Sequence, residues 1–110
     1  MPDEIELAVL VGRFEATPGR AEALAGILAT YVVLTRRREG CRNVDLVASV
    51  LHPGRSVVIE KWTSAKRARD HLDHPETVEM ARAVRPLLVG PPDLDLCCAV
   101  SAQDLEAPPP

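Results

Sequence analysis

The segment Val57–Pro75, VVIEKWTSAKRARDHLDHP, gathers the side chains best suited to chemistry: the only tryptophan, Trp62, and two of the three histidines, His71 and His74. An unperturbed imidazole titrates near pH ~6.5, so a histidine here is able to exchange a proton at neutral pH. His71 and His74 stand three residues apart beside Asp70 and Asp73, a spacing that could put two nitrogen ligands on one helical face. Pro75 argues against that use, because a helix ends or restarts around a proline and the shared face is lost. No metal is expected. Cys41, Cys97 and Cys98 make an odd count without CxxC spacing, which points to reduced, mostly buried thiols. The chain carries no GxGxxG after a strand and no P-loop.

Composition narrows the classes further. The 110 residues suffice for one domain that buries roughly two-thirds of the surface its unfolded chain would expose. Apolar residues make up 46% and charged residues 26%. The apolar runs fall far short of the ~20 residues of a membrane span. A net charge of −3 argues against a partner bound by phosphate neutralisation, so no nucleic acid is expected. Arg36-Arg37-Arg38 falls where a helix should end, and cations there complement the helix dipole. The start MPDEIE lacks the basic stretch and apolar block of a secretory signal; the expected location is cytoplasmic.

The elements that must position these residues follow from pattern. Residues 5–14 alternate and then become apolar on both faces, which predicts a strand covered on both sides. Thr17-Pro18-Gly19 offers an N-cap and a proline at the first helical position. A helix follows, with Ala21, Leu24, Ile27 or Leu28, Tyr31 and Leu34 facing the core and Gly40 stopping it. Residues 42–51 alternate as a second strand, with Val44, Leu46, Ala48 and Val50 on one face. Pro53-Gly54 suits a type II turn into a third strand, 56–62. Thr63 or Ser64 caps a helix to about His71, and Pro75-Glu76 restarts helical structure to about Leu88, with Val78, Ala81, Val84, Arg85 and Leu88 on one face. Gly90-Pro91-Pro92 ends it before a last strand, 94–101. The order β-α-β-β-α-β predicts a ferredoxin-like α+β fold, a four-stranded antiparallel sheet with helices on one face. Residues 1–102 form the domain, and 103–110 a flexible proline-rich tail. Apolar residues on both faces of the strands would leave the open face uncovered, which predicts a homodimer joined sheet to sheet.

Arg38-Glu39-Gly40-Cys41, then Val57-Val58-Ile59-Glu60-Lys61-Trp62, then Asp70-His71-Leu72 with His74-Pro75 together resemble the antibiotic biosynthesis monooxygenase family. Its pattern is an "EPGC"-like helix stop, an apolar strand ending "E-x-W" and a helix ending in "H-L". The resemblance covers about residues 5–101 and implies a dimeric α+β barrel with a pocket between helices and sheet in each subunit. It also implies, for the enzymes of the family, oxidation of aromatic polyketides or quinols by dioxygen without flavin, metal or haem. An ionised electron-rich phenol can itself reduce dioxygen, so the protein need supply only a base, a dry pocket and hydrogen bonds for the oxyanion. A haem-degrading branch of this fold is not matched: its asparagine, tryptophan and histidine would fall nearest Gly12, His71 and Ala81.

With that resemblance, His71 is the candidate base, or else a ring packed on the sheet. Trp62 is a candidate substrate-binding residue or a core anchor. Tyr31, on the apolar stripe of the first helix, and Arg85, interrupting that of a later one, are the other candidate substrate ligands. Glu60 reads as a structural ion pair or interface contact. The expected function is cofactor-independent oxidation of a small quinol or polyketide-like phenol. The alternatives are a non-catalytic small-molecule-binding or stress-response dimer and a structural accessory protein.

Overall fold

The computed structural model of the protein describes residues 7–100; the start of the first predicted strand and the tail from Ala102 lie outside them. In chain order the elements are β1 (Ala8–Glu15), α1 (Ala21–Thr35), β2 (Cys41–Ala48), β3 (Arg55–Trp62), α2 (Ala65–Leu72), α3 (Pro75–Val84), a short 3-10 turn (Arg85–Leu87) and β4 (Asp93–Cys98). The strands form one sheet in the order β2-β3-β1-β4, and every neighbouring pair is antiparallel. This is the ferredoxin-like α+β arrangement. No helix among the described residues is long and apolar enough to cross a membrane.

Alternation decides which side chains the helices cover. Ala8, Leu10 and Phe14 of β1, Val44 of β2, and Val58, Glu60 and Trp62 of β3 are buried, and the register brings them to one face. Leu24, Leu28, Tyr31 and Val32 of α1, with Val84 and Leu87, pack on Phe14, Val44 and Val58. Ala65 and Ala68 of α2 pack on Ala8 and Trp62. Among the described residues β1 is therefore covered by helices on one side only: Val9 and Val11, facing away from the helices, are half-buried.

The turn residues locate the boundaries. At His52-Pro53-Gly54-Arg55 the Arg55 N–H donates to the His52 carbonyl at 3.1 Å and Gly54 has φ 90°, the expected type II turn. The same dipeptide corrects the start of α1. Arg20 N–H donates to Thr17 O at 3.0 Å and Gly19 has φ 81°, so Pro18-Gly19 forms a second type II turn and the helix begins only at Ala21. Thr17 does not cap it; its hydroxyl donates to Leu87 O.

Other expectations shift as well. The helix ends at Thr35, before Gly40; Arg36 N–H still makes a helical bond to Val32 O, tighter bonds to Leu34 O and Thr35 O carry Arg37 and Arg38 around the corner, and Gly40, at φ 86°, turns the chain into β2. The arginines there do more than sit in solvent: Arg36 donates twice to Val44 O, and Arg38 pairs with Glu76. β2 stops at Ala48 because the hairpin loop takes the next six residues, leaving Val50 and Leu51 exposed. Ser64 caps α2 by accepting from Arg67 N–H. His74 caps α3 through Nδ1, which accepts from Glu76 N–H at 3.1 Å, with Pro75 in the first turn. The buried face beyond runs Thr77, Val84 and Leu87; Val78, Ala81 and Arg85 are exposed. A threonine can take a core position here because its hydroxyl is bonded, and the 3-10 turn after Val84 rotates Arg85 outward. Cys41 and Cys97 are half-buried, Cys98 is exposed, and all three are free, so the thiols are less enclosed than their usual burial suggests.

Candidate active site

Strand parity places Glu60 inside. Val58, Glu60 and Trp62 alternate with Val57, Ile59 and Lys61 along β3, and the first set meets the helices, leaving Glu60 only 4% exposed. Its carboxylate is met from two elements: Tyr31 Oη of α1 donates to Oε2 at 2.9 Å, and Trp62 Nε1 donates to Oε1 at 3.0 Å. The Thr77 hydroxyl of α3 lies 3.3 Å from Tyr31 Oη and donates to the His71 carbonyl at 2.6 Å. The Thr35 hydroxyl, fully buried, lies 3.3 Å from His71 Nε2. The His71 ring stacks on His74, with centroids 5.5 Å apart, and lies tilted against Trp62 and Tyr31, with centroids 4.8 and 5.8 Å away. Every fully buried side-chain polar atom among the described residues has a partner, as a low-dielectric network requires.

Burial tunes these groups in different directions. Desolvation holds the Glu60 carboxyl above its ordinary range, opposed by the bonds from Trp62 and Tyr31. Burial, and then the Glu60 charge, push the Tyr31 hydroxyl well up, so it stays protonated and remains a donor. Burial and then His74 push His71 down to about 4; its imidazole is neutral at physiological pH. Cys41, on the adjoining strand, is pushed up by burial and then by Glu60.

A cavity of about 70 Å³ lies between sheet and helices. Its polar lining is Tyr31, Glu60 and Thr77, and its apolar walls include Leu10, Phe14, Val58, Met80 and Leu94. Gly12 also lines it; a Cβ there would stand 3.1 Å from the Phe14 ring and 3.2 Å from Leu94, so the glycine makes room for both. The cavity adjoins a wider depression of about 480 Å³ that shares Leu72, Thr77, Ala81 and Leu94 and adds Val78, Arg82 and Arg85. A separate apolar groove of about 470 Å³ between α1 and α3 touches Tyr31 but not Glu60.

The structure thus brings Tyr31, Trp62 and His71 into one cluster and sets Arg85 apart, exposed on the rim of the wider depression. Within the cluster only Tyr31 lines the small cavity; Trp62 and His71 border a shallow depression of about 150 Å³ with Glu39, Arg67, Asp70 and His74. Glu60, read from the sequence as an ion pair or interface contact, instead stands at the centre of the network. A charged residue on an alternating strand is ordinarily assigned to solvent, yet its parity with Val58 and Trp62 was the available signal. No group of three or more metal-ligating side chains occurs among the described residues.

The depressed His71 value gives a pH-dependent stability. In the unfolded chain this imidazole protonates near pH ~6.5; in the folded protein it resists protonation down to about 4. Stability owed to His71 is therefore intact above ~6.5 and lost as pH falls from ~6.5 towards 4. Comparing urea unfolding of wild type and His71→Gln cancels other titrations. The wild-type advantage should shrink steadily across that window, and a constant difference would contradict the assignment.

Comparison with known proteins places this geometry. A family model described as "Antibiotic biosynthesis monooxygenase" matches residues 8–83. Rv0793 of Mycobacterium tuberculosis, provisionally named a monooxygenase, is 29% identical over 82 residues, 74% of this chain and 80% of that protein. Its solved structure superposes with a TM-score of 0.80 at 25% identity, covering 88% of this chain and 98% of that one. SO0527 from Shewanella oneidensis gives a TM-score of 0.77 at 27% identity, covering 84% and 90%. A Nitrosomonas europaea structure, at 17% identity and TM-score 0.81 over 86% and 91%, shares the fold.

Proposed function

The chain belongs to the antibiotic biosynthesis monooxygenase family, and from that premise we propose that it oxidises a small phenol or quinol with dioxygen, without a prosthetic group, in the cavity over Glu60 and Tyr31. The observation that carries the proposal is a buried carboxylate, bonded on both oxygens, lining a mostly apolar cavity in the company of only two other polar side chains. Glu60 accepts the phenolic proton, and the raised proton affinity of a desolvated carboxylate suits it to that exchange. The phenolate gives one electron to dioxygen; the substrate radical and superoxide join as a peroxide anion, which takes the proton back from Glu60 to become a hydroperoxide. Cleavage of its O–O bond with loss of the ring proton leaves a quinone and water, so one oxygen atom enters the product and the other leaves as water. Tyr31, held protonated, offers a hydrogen bond to developing oxyanions.

The small cavity holds only the reacting end of the substrate. Joined to the outer depression it reaches the range of ordinary ligand sites, about 300–1,000 Å³. Arg82 and Arg85 on that rim would favour a substrate with an acidic substituent. Trp62 and His71 act here through Glu60 and its surroundings, not by touching substrate. A second copy covering Val9, Val11, Val57 and Ile59 on the open sheet face belongs to the same proposal; a monomeric mass by light scattering would refute it.

Oxygen uptake with a panel of single-ring quinols and larger phenols such as anthrones tests the reading. Uptake should occur and fall sharply in Gly12→Val, whose side chain fills the cavity. Ligand-dependent melting shifts without uptake would instead favour a binding protein.

A further inference from the structure

The network around Glu60 has fewer hydroxyl protons than contacts that call for one. Tyr31 and Thr77 carry one such proton each. Three contacts draw on them: Tyr31 Oη to Glu60 Oε2 at 2.9 Å, Thr77 Oγ1 to the His71 carbonyl at 2.6 Å, and the two hydroxyl oxygens to each other at 3.3 Å. A carbonyl has no proton to give, so the Thr77 proton is committed to His71. A carboxylate holds the Tyr31 proton more strongly than a neutral oxygen does. The contact left without a proton is therefore the one between the hydroxyls, and its length, well beyond the ~2.7–2.8 Å usual for O–H···O bonds, agrees. Thr77 Oγ1 is left with a free lone pair beside Tyr31.

We propose that Thr77 is a positioning residue that makes Tyr31 a switched donor, governed by the charge on Glu60. While Glu60 is ionised, the Tyr31 proton points at Oε2. Once Glu60 has taken the phenolic proton, the charge that held the Tyr31 proton is gone. That proton then turns to the anion left on the substrate, or to Thr77 Oγ1 when no substrate is bound. Return of the proton from Glu60 to the peroxide anion restores the first arrangement. One proton travels from substrate to Glu60 and back, Tyr31 and Thr77 keep theirs, and no electron moves in the switch. Tyr31, which lines the cavity, is thus offered to the substrate only while an anion is there to receive it. The titratable groups facing Glu60 are Tyr31 from α1 and Cys41 from β2; Trp62 on its own strand and Thr77 from α3 complete its polar surroundings.

The inference rests on Glu60 as the proton acceptor, and its test needs no substrate. Trp62 carries the only indole, and its N–H, bonded to Oε1, reports Glu60 ionisation as a single ¹H–¹⁵N resonance. Protonated Glu60 is favoured by the bond Tyr31 then makes to Thr77. Thr77→Val should therefore lower the Glu60 proton affinity ~3–10-fold, the worth of one neutral hydrogen bond, and move the midpoint down. Thr77→Ser should restore it. Tyr31→Phe takes a donor from the carboxylate and should raise the affinity. In that background Thr77→Val should change nothing further, an outcome that a merely structural role of Thr77 does not give. If the valine variant does not fold, the wild type serves, because the Thr77 ¹³Cβ resonance should move with the indole midpoint. A midpoint indifferent to Thr77→Val, an equal shift in the Tyr31→Phe background, or a Thr77 resonance that stays still would overturn the switch while leaving Glu60 as the base. An indole titration that persists unchanged in Glu60→Gln would overturn the Glu60 reading and the switch with it.

Discussion

Glu60→Gln is expected to lower oxygen uptake by ~10²–10⁴-fold, the usual contribution of a positioned general base, while the protein stays folded. The amide fits the hydrogen bonds already present. Its oxygen accepts from Trp62 Nε1 in place of Oε1, and its NH₂ donates to Tyr31 Oη, which can turn its own proton towards Thr77. What is lost is the capacity to take a proton. Uptake measured with a folded Glu60→Gln protein therefore separates chemistry from stability. Activity within a few-fold of wild type would transfer the base role elsewhere, and His71 would be the first residue to reconsider.

Trp62→Ala should produce the largest loss of stability, ~3–5 kcal/mol for removing a buried tryptophan. The side chain is 1% exposed, packs on Ala8, Ala65 and Ala68, and lies against the His71 ring. Its removal opens a void between α2 and the sheet and takes one donor from Glu60. Small domains are stable by about 5–15 kcal/mol in total, so the variant should sit near the edge of folding. Trp62→Phe divides the effect: it restores much of the volume and leaves only the missing N–H, costing ~1–3 kcal/mol. Urea unfolding followed by circular dichroism gives both numbers, and equal losses in the two variants would mean that packing is not the main contribution.

The fold could be read from the chain because its signals are local. Period-two alternation marked the strands, Pro53-Gly54 specified its turn, and Ser64 and Pro75 bounded the helices. Where reading failed, a second element had intervened. Pro18-Gly19 resembled a helix start but closes a turn against Leu87. Thr77 displaced Val78 from the core because Tyr31 and the His71 carbonyl receive its hydroxyl. Tyr31, Trp62 and His71 stood out as polar or rare groups amid apolar neighbours, and the fold does cluster them. Glu60 did not stand out, since a buried carboxylate becomes credible only once Tyr31, twenty-nine positions away, is seen to donate to it.

Oxidation in ¹⁸O₂ with a single-ring quinol or phenol that supports uptake tests the central claim most directly. The proposal predicts one ¹⁸O atom in the quinone product and one in water, with label incorporation lost in Glu60→Gln. Product oxygen drawn entirely from solvent, or label incorporation indifferent to that substitution, would contradict it.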